Sequence, residues 1–197
     1  LWYRNTKDDA GNVTGRETTK IYANADYYIT EETSIPKVYG GFGTKLKVYG
    51  VDFGINFTYQ IGGKQYDGTY AYFMSSPTGS TGYNYHKDLL KSWTPENTGS
   101  NIPRFQLNDQ YSAAASTRFL TNASFLNIQN INVGYTLPSR WTKKMAISSL
   151  RLYMSAENVF YWSKRKGFDP RQSYDETTNA TYYSPMRTIS GGVTFEF

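Results

Sequence analysis

The 197-residue chain contains no cysteine, a single histidine and no long apolar run. The absence of cysteine excludes disulfide scaffolds, zinc fingers, iron–sulfur sites and thiol nucleophiles. No stretch approaches 18 consecutive apolar residues, so no transmembrane helix is predicted, and no basic–apolar signal peptide opens the sequence. The 21 lysines and arginines give a net charge of +5 but are scattered, so no nucleic-acid partner is expected.

Aromatic residues, in contrast, are abundant. They make up 17% of the chain and include 19 tyrosines, and glycine occurs 17 times. The mean hydropathy is nevertheless −0.62. A polar chain so rich in rings predicts a β-protein whose two sheet faces meet different environments.

Strict alternation of apolar and polar residues begins near Lys37 and predicts a hairpin over 37–62. An even loop, placed at Gly50-Val51, sets polar residues opposite polar ones, for example Lys45 opposite Asn56. An odd loop would mix the two faces. Three further alternating segments follow, at 131–137, 150–161 and 189–197.

Three features of these segments favour a transmembrane barrel over a soluble sandwich. Most are long enough to cross a bilayer at a tilt, their connections alternate between short and long, and aromatic residues lie at their ends. Five strands cannot close a barrel, so further strands must come from elsewhere. The polar face would line a water-filled lumen, where charges cost little. Its predicted lumen-facing residues are Lys45, Lys47, Asp52, Asn56, Arg151 and Glu157.

Several segments resemble the C-terminal third of SusC/RagA-type TonB-dependent transporters. They lie in the family's order from about residue 35 to the end: Ile-Pro-Lys-Val-Tyr-Gly-Gly-Phe at 35–42, Trp-Thr-Pro-Glu-Asn-Thr at 93–98, the segment 118–138, the segment 150–160 and Gly-Phe-Asp-Pro at 167–170. The resemblance implies an all-β fold: about the last five strands of a 22-stranded antiparallel barrel, with long outer loops and one short loop helix.

On this basis the chain divides into four parts. Residues 1–36 form an outer loop region, and residues 37–62 form a hairpin of the barrel wall. Residues 63–122 form a long outer loop, which contains a short helix near 86–93. Residues 123–197 contain the last three strands and an outer loop at 163–184.

The resemblance also implies partners and a location. The partners are the remaining N-terminal barrel and plug, a SusD-like surface lipoprotein acting as a lid, the TonB complex acting through the N-terminal part, and outer-membrane lipid. The location is the outer membrane of a Gram-negative, Bacteroidetes-like cell. The cargo would be a glycan or an oligopeptide.

No catalytic residue, metal site or cofactor is predicted, and the chain is not expected to be an enzyme. His86 has no Ser/Asp partners at a catalytic spacing, and Asp169-Pro170 is interpreted as a turn. Loop aromatics are hypothesised to contact cargo or lid, although they could equally pack the loops together. These residues are Trp93, Tyr83, Tyr85, Tyr182 and Tyr183.

The sequence therefore predicts part of a TonB-dependent nutrient importer. The alternative from another class is a soluble, tyrosine-rich carbohydrate-binding or adhesion β-domain. A barrel of the same shape that takes metal chelates is a further rival, and a co-purifying lid lipoprotein would argue against it.

Overall fold

The computed structural model describes residues 2–27, 30–75, 84–106, 108–109, 111–112, 114–172, 177–178 and 183–197. The chain forms two compact units, which are described separately below. The first consists of Leu1–Glu32 and Met74–Ala114, and the second of Thr33–Phe73 and Ala115–Phe197.

The first unit contains an antiparallel hairpin that the sequence analysis did not predict. Its strands are β1 (Trp2–Lys7) and β2 (Val13–Thr19), and a 3-10 turn follows at Tyr22–Asn24. Asp8 closes the hairpin, because its carboxylate accepts a hydrogen bond of 2.8 Å from the Asn12 backbone N–H. Polar residues occupy most positions of both strands, so no apolar alternation marks them.

The short helix predicted near 86–93 is smaller than expected. It is a 3-10 helix over Lys87–Lys91. Its cap is His86, whose Nδ1 accepts a hydrogen bond of 3.2 Å from the Asp88 backbone N–H. A five-residue segment has too few turns for an α-helix to nucleate by itself.

The remaining elements follow in chain order: β3 (Val38–Val48), β4 (Val51–Ile61), β5 (Lys64–Asp67), α1 (Gly68–Met74), β6 (Leu120–Asn122), β7 (Phe125–Thr136), α2 (Ser139–Thr142), β8 (Ser149–Ser163), β9 (Thr177–Thr178) and β10 (Thr188–Glu196). None of the helices in the described part of the chain is long and apolar enough to span a membrane.

The dominant feature of the second unit is a five-stranded antiparallel sheet in the order β10-β8-β7-β4-β3. Its strands are 9 to 15 residues long. Strands of ordinary globular proteins are usually about 5–6 residues long, so this sheet is unusually tall. The structure is therefore mostly β, as predicted.

The turn between β3 and β4 contains two residues, which confirms the even loop. It lies at Tyr49-Gly50, one position earlier than predicted, so Lys45 pairs with Gly54 and not with Asn56. Both turn residues have positive φ, +48° and +84°. A type I′ hairpin turn requires that geometry, which β-branched Val51 would adopt only with strain.

Extra residues interrupt the pairing of β7 and β8 at one level of the sheet. Between the pairs Asn56–Asn130 and Phe57–Ile128, β7 contains one residue more than β4. At the same level β8 contains one residue more than β7, and Asn158 there has a φ of +49°. Such bulges increase the local twist while keeping side chains beyond them on their proper faces.

A small second sheet, in the order β6-β5-β9, lies in the region predicted to be mainly loop. Its strands have 2 to 4 residues and pair both antiparallel and parallel. Three apolar side chains of the unit are almost completely buried around it: Phe119, Ala123 and Phe168. Elements this short depend on tertiary packing and not on periodicity, which is why the sequence did not reveal them.

Candidate functional site on the polar face of the sheet

The pairing register gives the tall sheet one apolar and one polar face. On β4, residues Val51, Phe53, Ile55 and Phe57 share the apolar face, and none of them is buried. On the neighbouring β3, Phe42 and Leu46 occupy the same face and are 56% and 59% exposed. The apolar face thus does not form an enclosed protein core.

The six residues predicted to face a lumen share the opposite, polar face. The register pairs Lys47 with Asp52, and it aligns Asn56 and Glu157 on either side of Asn130. Lys45 and Arg151 lie two positions from members of the same rows and therefore project to that side.

An ion pair crosses the polar face near the short turns. Arg151 Nε lies 3.0 Å from Asp52 Oδ1, and Arg151 Nη2 lies 2.5 Å from Oδ2. The two side chains come from β8 and β4 and meet above Gly134 of the intervening β7. A side chain at position 134 would collide with both groups, so glycine provides the space for this pair.

The same row continues across β8 to the edge of the sheet. The Arg151 guanidinium carbon lies 5.3 Å from the centroid of the Tyr153 ring, a cation–π distance. The Tyr153 hydroxyl in turn lies over Gly192 of β10, where a Cβ would approach within 2.5 Å. Charged and aromatic groups therefore form a continuous polar row supported by two glycines.

The middle of the polar face carries amides. Asn130 Oδ1 accepts hydrogen bonds from Asn56 Nδ2 at 2.8 Å and from Asn132 Nδ2 at 3.4 Å. These three side chains come from two adjacent strands and form an uncharged hydrogen-bonding strip.

At the far end of the strands the polar face carries a buried ion pair. Arg171 donates to Asp169 through Nε at 2.9 Å and Nη2 at 2.8 Å, and through Nη1 to Asn127 Oδ1 at 2.7 Å. Its guanidinium carbon lies 4.2 Å from the centroid of the Tyr161 ring. Burial alone would raise the pKa of Asp169, but its hydrogen bonds with Arg171 outweigh burial, so the pKa is lowered. The sequence suggested only a turn here; the Asp-Pro-Arg spacing was the available signal.

The same unit contains a second buried carboxylate. Asp67, at the end of β5, forms an ion pair with Arg165, whose guanidinium carbon lies 4.0 Å from the centroid of the Tyr70 ring. The Asp67 side chain is almost fully buried and therefore requires such a partner. Sequence reasoning identified neither residue.

The predicted loop aromatics that the structure describes have different individual surroundings. Tyr85 packs edge-to-face against Phe105 with the ring centroids 5.1 Å apart. Trp93 is about half-buried, and Tyr183 is almost fully exposed. Tyr83 and Tyr182 lie outside the described residues.

Within the described ranges there is no group of three or more side chains suited to hold a metal ion. The ion pairs on the polar face join aspartates to arginines. A guanidinium group only donates hydrogen bonds, so it neither binds a metal ion nor accepts a proton. The face is thus arranged for polar contact.

Tall antiparallel strands with an exposed apolar face and a polar opposite face define a class, the β-strand walls of outer-membrane proteins. Comparisons with known proteins identify particular relatives. No family model matches the chain. TonB-dependent receptor P3 of Formosa agariphila is 25% identical over 167 residues, which cover 80% of this chain and 16% of that protein. The TonB-dependent receptor SusC of Bacteroides thetaiotaomicron is 34% identical over 83 residues, covering 42% and 8%.

Solved structures give the same answer. A chain of the RagAB peptide importer in its open-open state superimposes with a TM-score of 0.76 at 26% identity, covering 100% of this chain and 20% of that one. The closed-closed state gives a TM-score of 0.74 at 26% identity, covering 98% and 20%. The chain spans at most about a fifth of the length of these relatives. It is similar to part of the SusC/RagA type of TonB-dependent receptor, which confirms the resemblance found in the sequence.

Proposed function

We propose that this chain forms part of the wall of a TonB-dependent outer-membrane importer of nutrients. The single observation that carries the proposal is the five-stranded sheet, whose apolar face is exposed while its opposite face holds the Asp52–Arg151 pair. Hydrocarbon satisfies the first face and a water-filled interior the second.

The dimensions of the sheet support this assignment. A strand needs roughly 9–11 residues to cross a bilayer at a tilt, and β3 and β4 each have 11. The apolar row on β3 and β4 would contact lipid tails. The six polar-face residues, from Lys45 to Glu157, would face the lumen, where they would meet the plug or the cargo.

The proposal extends to the partners of a whole transporter of this type. Further strands and a plug would belong to the same transporter, a SusD-like lipoprotein would cover its outer end, and the TonB complex would supply energy. Import of this kind is non-enzymatic: cargo is captured under the lid, and displacement of the plug releases it into the periplasm.

The cargo would be an oligopeptide or a glycan. The similar RagAB structure is that of a peptide importer, which supports an oligopeptide, and a glycan stays the alternative.

The proposal is tested by labelling adjacent residues that lie on opposite faces. In the full transporter, Lys45→Cys and Leu46→Cys are placed one at a time, after any cysteine outside these 197 cysteine-free residues has been replaced by serine. Outer membranes are mildly permeabilised on the lid side, so that the reagent reaches the inside of the barrel while the surrounding bilayer stays intact. They are then treated with a charged, membrane-impermeant maleimide. We expect Lys45→Cys to react and Leu46→Cys to be protected until the membrane is dissolved in detergent.

The two single-cysteine variants differ by one position in the chain. Differences in expression level and reagent concentration therefore do not affect the ratio of their labelling rates. Reaction of Leu46→Cys at the same rate as Lys45→Cys in intact membranes would contradict the proposal. So would recovery of the full transporter as a monodisperse species in buffer without detergent, which the soluble carbohydrate-binding or adhesion domain predicts instead.

A further inference from the structure

The chain beyond the end of β8 folds back over the polar face and does not continue outward. Ser163, the last residue of β8, donates a hydrogen bond of 2.6 Å from Oγ to the carbonyl oxygen of Phe168. Gly167 has a φ of +88°, which permits the sharp reversal just before that contact. The reversal brings Phe168–Arg171, hereafter the shelf, back onto the sheet.

Arg171 attaches the shelf to the polar faces of two strands. It binds Asn127 of β7 and lies over the ring of Tyr161 of β8. Asn127 and Tyr161 are paired in the register, and Asn127 is also paired with Thr58 of β4. Asn127 Nδ2 donates to Thr58 Oγ1 at 3.2 Å, which extends the attachment to a third strand.

Burial shows that the shelf covers this part of the face. Phe168 is 1% exposed, and Asp169 and Asn127 are 4% exposed each. On the other side, Gln65 Nε2 of β5 donates a hydrogen bond of 3.2 Å to the carbonyl oxygen of Pro170. The shelf is therefore held between the tall sheet and the small one, whereas Asn132, closer to the short turns on the same polar face, is exposed.

We infer that the shelf is a fixed part of the inner lining of the passage, with Arg171 as its positioning residue. The inference rests on the proposed function, because it takes the polar face to be the lumenal one. Cargo at the outer end of these strands would meet the shelf and not the strands, and the passage there is narrower than the strand positions imply. The part of the polar face nearer the short turns remains open to water or plug; it carries the amide strip, the Asp52–Arg151 row and the exposed side chains of Lys45, Lys47 and Glu157.

The test compares two cysteine reporters on the polar face of the full transporter. Thr58→Cys lies beneath the shelf attachment, and Asn132→Cys lies outside it. We expect a small impermeant maleimide to label Asn132→Cys about tenfold or more faster than Thr58→Cys. Adding Arg171→Ala should raise the rate at Thr58→Cys by about tenfold or more and leave Asn132→Cys within about twofold.

Arg171→Ala strands a buried carboxylate and could disturb folding, so Ser163→Ala provides a second route. It removes the hydrogen bond to Phe168 without uncovering a charge, and we expect a smaller rise that is again confined to Thr58→Cys. Equal labelling of the two reporters in the native background, or a Ser163→Ala variant that changes both alike or neither, overturns the inference.

The outcome separates this inference from the proposed function. If Leu46→Cys is protected in membranes while Thr58→Cys and Asn132→Cys react equally, the wall assignment stands and the shelf fails. If Leu46→Cys reacts freely, the wall assignment itself fails.

Discussion

Two Asp–Arg pairs lie on the same face of one sheet, yet their surroundings differ. The Asp52–Arg151 pair, near the short turns, has side chains that are 30% and 36% exposed. The Asp169–Arg171 pair, at the other end, has side chains that are 3% and 10% exposed. The difference shows that the pair near the short turns is accessible to water or to another polar surface. The pair at the other end is buried and holds the shelf to the sheet.

The two ion pairs should therefore contribute very differently to the stability of the folded protein. An exposed pair exchanges one set of favourable interactions with water for another and is screened by salt. Breaking a buried pair leaves an unsolvated charge. Three predictions test this contrast, in order of decreasing effect.

Arg171→Ala should have the largest effect. Loss of the guanidinium leaves Asp169 buried without its partner, which costs about 3–5 kcal/mol in comparable cases. Hydrogen exchange of the segment 164–172, measured in the full transporter by mass spectrometry, should increase accordingly. Arg187→Ala is the matched control, because Arg187 is exposed and lies outside the shelf. Equal exchange in the two variants would show that the buried pair does not hold the segment 164–172 in place.

Acid should have the next largest effect, and it should act on the shelf. The pKa of Asp169 lies below the usual value of about 3.9. Its contribution to stability is therefore fully present above that value and is lost as the pH falls through the lowered pKa. Exchange in 164–172, corrected for the intrinsic pH dependence, should rise as the pH falls below about 4.

The effect of acid should be smaller than that of Arg171→Ala, because the arginine still binds Asn127 and the Tyr161 ring after Asp169 is protonated. Asp169→Asn is the control and should abolish the pH dependence. A pH profile that is the same in Asp169→Asn and in the native protein would assign the change to other groups.

The exposed pair should have the smallest effect. A double-mutant cycle of Asp52→Asn and Arg151→Gln, followed by thermal unfolding of the full transporter, should give a small coupling that declines further with added salt. Gly134→Ala should separate the pair sterically and produce a similarly small loss. A coupling as large as the loss in Arg171→Ala would erase the contrast between the two ends.

The tall strands were predictable from the sequence because a single physical rule governs them. Alternation over eleven residues determines which side chains share a face, and any even loop preserves that assignment. The position of the turn was wrong by one residue, since it depends on which residues tolerate positive φ. Tyr49 does so here, although a tyrosine gives little indication of it in a sequence.

The buried Asp169–Arg171 pair, at the end of the strands away from the short turns, was not predictable in the same way. Asp169 and Arg171 are two positions apart in the chain, but Arg171 is held by Asn127 of β7 and by the ring of Tyr161 of β8, which lie in earlier parts of the sequence. Long-range packing of this kind leaves no periodic signal. The polar-face residues could be assigned to a face from alternation, but not the crossing of Asp52 and Arg151 over Gly134, which needs the register of three strands.

The extra residues in β7 and β8 have a consequence for how such a sequence can change in length. Removing Gln129 from β7 would leave Ile128 opposite Phe57 and Asn130 opposite Asn56 without an interruption, so every side chain of β7 would keep its face. The same deletion would leave two unmatched residues in β8, Asn158 and Val159. A single-residue change in length at this level can therefore be absorbed as a bulge, whereas the same change elsewhere in these strands would turn part of a strand to the opposite face.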